Sequence, residues 1–128
     1  MKSLASYICI ALSVAAASAQ THWTENGTRI KSLATATPHI KTVSDGNGGM
    51  FLTWEDSPQS DKDIFAQRLD NAGDLRWGES GITVTAAAGK QAYPAVAPDT
   101  ANGVFIAWYD ETTGHIMAQH LDSLGNNL

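Results

Sequence analysis

Cysteine is nearly absent from this sequence. The single one, Cys9, sits in the N-terminal apolar stretch, so the remainder can hold no disulfide, no cysteine-ligated zinc and no thiol nucleophile. Basic residues are scarce too: eight Lys and Arg stand against thirteen Asp and Glu, for a net charge of −5. With no basic patch to meet phosphates, nucleic acid is excluded as a partner. After residue 19 no apolar run approaches the length of a membrane span. A sustained helical apolar period is also missing. Ala86-Ala87-Ala88 favours helix but is too short, and too close to Gly89, to form one. Metal-ligand spacing is lacking as well. His115 and His120 fall on opposite faces of one strand, and His22 and His39 have no partner at ligand spacing. Asp45 and Asn47 lie in a loop without the ligand pattern of a calcium-binding hand, and turn chemistry accounts for them. No metal and no cofactor is expected.

What is present begins with a leader. Lys2 gives a positive start, Leu4 to Ala16 is apolar, and Ala17-Ser18-Ala19 forms a small-residue cleavage site before Gln20. Residues 1–19 read as a secretory signal peptide, cut between Ala19 and Gln20. The bulky Ile8 before Cys9 argues against a lipid anchor. The expected location is secreted, cell-surface or periplasmic, and export without disulfides fits a bacterial product. Cleavage there leaves positions 20–128, still acidic on balance and long enough for one small core.

The remaining residues recur at a fixed distance. Trp23 and Gly27 return as Trp77 and Gly81, and Gly49 and Trp54 return as Gly103 and Trp108. The offset is the same in all four cases, a period of about 54 residues. Ile64-Phe65-Ala66-Gln67-Arg68-Leu69-Asp70 returns as Ile116-Met117-Ala118-Gln119-His120-Leu121-Asp122 at a slightly shorter offset, and Pro38 as Pro94 at a slightly longer one. Short strands inside such a period are the signature of propeller blades. The first unit predicts strands over Pro38–Val43, Met50–Trp54 and Asp63–Asp70, with turns at Asp45–Gly49 and Asn71–Asp74. A broken outer strand follows over Leu75–Trp77 and Ile82–Thr85, and Ala86–Tyr93 crosses to the next unit. Met50–Trp54 is apolar at nearly every position, which means burial on both faces. The second unit predicts strands over Pro94–Ala97, Val104–Trp108 and His115–Asp122. Trp23–Ile30 matches the outer strand Trp77–Val84. The expected organisation is therefore all-β: a closing outer strand and linker over 20–37, a four-stranded blade over 38–93, and a second blade over 94–128 without its outer strand.

At these residues the chain resembles a family of secreted bacterial β-propeller repeat proteins. Their blades read Pro-x-Ile, an Asp-Gly-x-Gly-Gly turn, an apolar strand ending in Trp-x-Asp, then Asp-Ile-Tyr-Ala-Gln-Arg-Leu-Asp-x-x-Gly and a Trp. Pro38, Ile40, Asp45, Gly49, Trp54, Asp56, Asp63, Ala66, Gln67, Leu69, Asp70, Gly73 and Trp77 carry the match in the first unit. Pro94, Gly103, Trp108, Asp110, Ala118, Gln119, Leu121, Asp122 and Gly125 carry it in the second. The resemblance implies a module within a longer secreted or surface protein, with no assigned activity. The arginine often found after Trp-x-Asp is missing from both units.

Several residues invite a chemical reading. Asp70 to Trp77 loosely resembles the Ser-x-Asp-x-Gly-x-x-Trp turn of sialidase-like propellers, with both internal spacings one position longer. A sialidase also needs convergent arginines, and only Arg29, Arg68 and Arg76 are present. Asp70 is better read as a turn cap and Trp77 as packing between blades. The pairs Glu55-Asp56 and Asp110-Glu111 end equivalent strands and could ring a channel mouth, where a glycosidase would need two carboxyl groups about 5–10 Å apart. The plainer reading has Asp56 and Asp110 accept backbone hydrogen bonds, with Glu55 and Glu111 solvated. Trp54, Asp56, Trp108 and Asp110 are thus the candidate channel-mouth or ligand-face residues, although tryptophans so strictly periodic favour packing. A catalytic fragment should break the repeat at the channel mouth with a His or Arg in one unit only, and none stands out.

The expected function is non-catalytic binding or scaffolding, with an extracellular ligand that is a carbohydrate or a protein. Two readings explain the unfinished second unit. In the first, which the length of the resembling proteins favours, the chain is the opening of a longer propeller. In the second, it is a complete lectin-like subunit that forms a homo-oligomeric ring through its N-terminal strand. A third alternative is a fragment of a propeller glycosidase or lyase.

Overall fold

The computed structural model describes residues 23–33 and 39–128. The leader, with Ala19 and Gln20, and Pro38 lie outside the described residues. Seven strands form: β1 Lys41–Ser44, β2 Met50–Asp56, β3 Asp63–Leu69, β4 Ile82–Thr85, β5 Gln91–Pro98, β6 Val104–Asp110 and β7 His115–Leu121. They make two antiparallel sheets, ordered β1-β2-β3-β4 and β5-β6-β7. The all-β class expected from the alternation of short apolar runs with Gly-, Asn- and Asp-rich turns is the class observed. Among the described residues no helix is long and apolar enough to cross a membrane.

Both sheets use one register. Lys41 faces Thr53 and Met50 faces Leu69 in the first. Ala95 faces Ala107 and Val104 faces Leu121 in the second. These partners are related by the same offsets that relate the two halves of the sequence. The offset shortens after β2 because the β2–β3 connection is longer than its β6–β7 counterpart.

The turns explain why aspartate recurs. Asp45 Oδ1 accepts the N–H groups of Asn47 and Gly49 at 2.8 and 2.9 Å, and Asp99 Oδ1 accepts those of Ala101 and Gly103 at 2.8 and 2.6 Å. Asp70 does the same for Ala72 and Asp74, and Asp122 for Leu124 and Asn126. A short carboxylate is the side chain that reaches back to two N–H groups of its own turn. Glycine closes the first turn of each sheet for a steric reason. A Cβ on Gly49 would strike the carbonyl oxygen of Leu69, and one on Gly103 that of Leu121.

One core joins the sheets. Phe51, Ile64, Ala66 and Trp77 of the first half pack with Val104, Ile106, Trp108 and Leu121 of the second, and Val43, Ile82, Val84 and Val96 close its rim. Strand β5 lies against β1, β2 and β3.

Several local expectations change. β1 starts at Lys41, so His39 and Ile40 precede it. β5 takes in Gln91–Tyr93, expected to be crossover, because Gln91 and Ala92 pair with Asp110 and Tyr109 across a bulge that places Tyr93 at φ 56°. The outer strand reduces to β4, with Leu75 contributing one bridge to Leu69. Trp23–Ile30, expected as an outer strand, pair with no strand among the described residues.

Candidate functional site

Strand alternation would turn neighbouring side chains to opposite faces, but β2 is covered on both, so Trp54, Glu55 and Asp56 are all buried. Trp54 is 3% exposed and stacks on Phe65, with ring centroids 6.2 Å apart. Trp108 is 7% exposed within the shared core. Neither offers a ring face to a sugar. Asp56 Oδ1 accepts the Ser57 N–H at 2.9 Å, and Asp110 Oδ1 accepts those of Thr112 and Thr113 at 2.9 and 3.0 Å. The Thr113 N–H leads the influences that hold the Asp110 carboxyl below the usual range, against its own desolvation. Both aspartates therefore cap strand ends, as the plainer sequence reading has it.

Glu55 departs from that reading. Expected in solvent, its side chain is 0% exposed, because β2 stays sandwiched one position beyond Trp54. Its Oε1 lies 2.8 Å from His39 Nδ1 and accepts the Tyr93 N–H, and its Oε2 accepts Lys62 Nζ at 2.9 Å. Burial is the largest influence and opposes ionisation. The Tyr93 N–H, Lys62 and His39 together outweigh it and hold the carboxyl below its ordinary value. The hydrogen bond to Glu55 in turn raises the Lys62 ammonium above the usual lysine value.

Above this carboxylate sit two exposed rings. His39 and Tyr93 lie with centroids 5.0 Å apart and planes tilted by 53°, and Tyr93 is 56% exposed. They are one full period apart, so one position in each unit supplies the pair. Glu55 has no such counterpart, because Tyr109 stands at the equivalent position of the second unit. Sequence reading placed Glu55 in solvent and did not single out this buried carboxylate. The legible signal was the continuous burial of Met50–Trp54, which needed extending by one position.

The same end of the molecule holds more buried polarity. The Gln91 N–H donates to the Lys62 carbonyl at 2.8 Å, while the Gln91 side-chain amide is buried with neither atom hydrogen-bonded among the described residues. Nearby in sequence, Asp61 and Asp63 share a cavity of about 180 Å³ with Gln59 and Ala86–Ala88. Burial, aided by the charge of Asp61, raises the Asp63 carboxyl above its ordinary value.

Two of the turn aspartates, Asp45 and Asp99, are held by a side chain from the third strand of their sheet. Arg68 Nη2 lies 2.9 Å from Asp45 Oδ2, and His120 Nε2, at the matching position, 2.6 Å from Asp99 Oδ2. Asp70 caps its turn and Trp77 packs in the core shared by the two sheets, the plainer reading that the sequence favoured over a sialidase-like one. Among the described residues no three His, Cys, Asp or Glu side chains are placed to hold a metal. Comparison of the chain with family models, with curated proteins and with solved structures gave no match.

Proposed function

We propose that the two sheets are blades of a secreted or cell-surface β-propeller repeat protein, and that this chain is a non-catalytic module for binding or scaffolding. The observation that carries this reading is the common register and the common aspartate-capped turns of the two sheets, repeated at the period of the sequence. Successive units that bury one core between them are how blades gain stability. The leader sequence supports export.

The polar groups favour recognition over chemistry. Asp56 and Asp110 are committed to backbone N–H groups, and Glu55 to a lysine, a histidine and a backbone N–H. The His39–Tyr93 pair is the ligand-facing feature, two rings whose exposed faces suit a sugar or an aromatic side chain, over a carboxylate that fixes their position. The test is a glycan array and a panel of surface proteins probed with the full chain and with Tyr93→Ala. Binding weakened about tenfold or more by the substitution is the expected result. Binding of equal strength in the two forms would remove this face as the site.

A further inference from the structure

We infer, on the reading of His39 and Tyr93 as the ligand-facing pair, that the site takes a neutral carbohydrate: His39 Nε2 accepts a hydrogen bond from one of its hydroxyls while its C–H face lies on the Tyr93 ring. Glu55 sets this up. Burial opposes its ionisation most, yet the Tyr93 N–H, Lys62 and His39 hold the carboxyl below the ordinary range, so at neutral pH it is ionised and can only accept. The 2.8 Å contact with His39 therefore makes Nδ1 the donor. In a neutral imidazole the other nitrogen is then an acceptor, and a carboxylate behind the ring makes it more basic. Nε2 meets no partner among the described residues, on a side chain that is 46% exposed.

Tyr93 is the platform. Its backbone is left-handed, at φ 56°, within the irregular pairing between Ala92 and Ala95. That conformation costs a bulky residue free energy and persists only where its surroundings impose it. Here its own N–H is donated to Glu55. One buried carboxylate thus fixes both the ring that stacks and the nitrogen that accepts. A bulge re-aims a side chain, and this one leaves Tyr93 more than half exposed. The tilt of 53° between the two ring planes keeps them from stacking on each other.

The remaining groups select the class of ligand. Lys62 Nζ spends one of its three N–H groups on Glu55, and its side chain is 31% exposed. Glu55 matches its charge, and Glu111 adds a further negative influence on it. The cluster thus carries no surplus positive charge to select a sulfated or acidic sugar. It offers an acceptor on His39, spare donors on Lys62 and an aromatic face on Tyr93. A sugar ring complements all three, because its hydroxyls both donate and accept beside a face of C–H bonds. A phenylalanine or leucine side chain would leave these polar atoms unmatched, at the full cost of desolvating them. Tyrosine or tryptophan brings one polar group on a single edge and cannot serve both.

The experiment uses the full chain, a panel of neutral and acidic glycans and peptides, and singly O-methylated forms of each neutral glycan that binds. O-methylation removes a hydroxyl donor and keeps the oxygen as an acceptor. Methylation at one hydroxyl should weaken binding to the wild type about tenfold, the size of one lost hydrogen bond. It should change nothing further in His39→Phe, which keeps a ring and has no acceptor. Nitrogen NMR of the imidazoles at about pH 8, above the ordinary histidine range, should show the His39 proton on Nδ1. A proton on Nε2, or on both nitrogens, would overturn the inference. So would equal losses on methylation in wild type and His39→Phe, indifference to every methylation, or binding confined to peptides or acidic glycans. In those cases Tyr93→Ala still weakens whatever is bound. Binding unchanged by Tyr93→Ala would instead remove the ligand-facing pair itself, and the carbohydrate assignment with it.

Discussion

Glu55 is the residue whose environment says most about this chain. A carboxylate with no exposed surface is tolerated only when its charge is met, and here Lys62, His39 and the Tyr93 N–H meet it. Because its folded pKa lies below the unfolded value, its contribution is present above about pH 4 and is lost as pH falls through the folded value. Glu55→Gln should therefore destabilise the chain by about 2 kcal/mol at neutral pH, part of the full buried-pair penalty being screened at the partly exposed Lys62. Urea midpoints at about pH 7 and about pH 3, on either side of the ordinary carboxylate range, check this: the difference between wild type and variant should shrink in acid. An equal difference at both values would show that shape and not charge is what Glu55 contributes.

At the scale of elements, the outer segment of the first unit is the fastening between the sheets. Trp77 is buried in the shared core, against Phe51 at 5.6 Å between centroids, while reaching the carbonyl of Ser123 with its indole N–H. Trp77→Ala should cost roughly 3–5 kcal/mol, the range for deleting a large buried aromatic. Trp23 makes the corresponding contact on the first sheet but is 44% exposed, so Trp23→Ala should cost about 1 kcal/mol. Chemical denaturation of the two variants gives the comparison, and similar losses from both would mean that the N-terminal segment is packed more firmly than its exposure indicates. Both tryptophans were legible as a pair from spacing. Which of them is buried was not, because Trp77 packs against Phe51 of its own half as well as on the second sheet, whereas Trp23 contacts the first sheet alone among the described residues.

For the whole molecule, the pattern of carboxylate pKa values fixes the direction of its acid response. Asp45, Glu55, Asp99, Asp110 and Asp122 are all lowered, each by hydrogen bonds that outweigh desolvation, and Asp63 is raised by burial. The lowered groups contribute stability above their unfolded values, near about pH 4, and lose it as pH falls. Asp63 acts in the opposite sense: its contribution is fully present below its unfolded value and is lost as pH rises through the raised folded value. The thermal midpoint should therefore fall steeply below about pH 4, and Asp63→Asn should raise it at neutral pH. A midpoint that stayed level through this range would mean that the turn aspartates are not the caps their geometry makes them.

The amino-acid sequence alone determined the all-β class, most of the strands and turns, and their common spacing, since each rests on local chemistry: an aspartate that caps its own turn, a glycine that clears a carbonyl, an apolar run that demands two covered faces. Only the tertiary structure decided what depends on neighbours distant in the chain. Glu55 looked solvated beside Asp56, and becomes the buried centre of a cluster because Lys62 and Tyr93 close over it. Residues 28–31 share the spacing of β4 but form no strand among the described residues, since a strand is a relation between two segments and not a property of one.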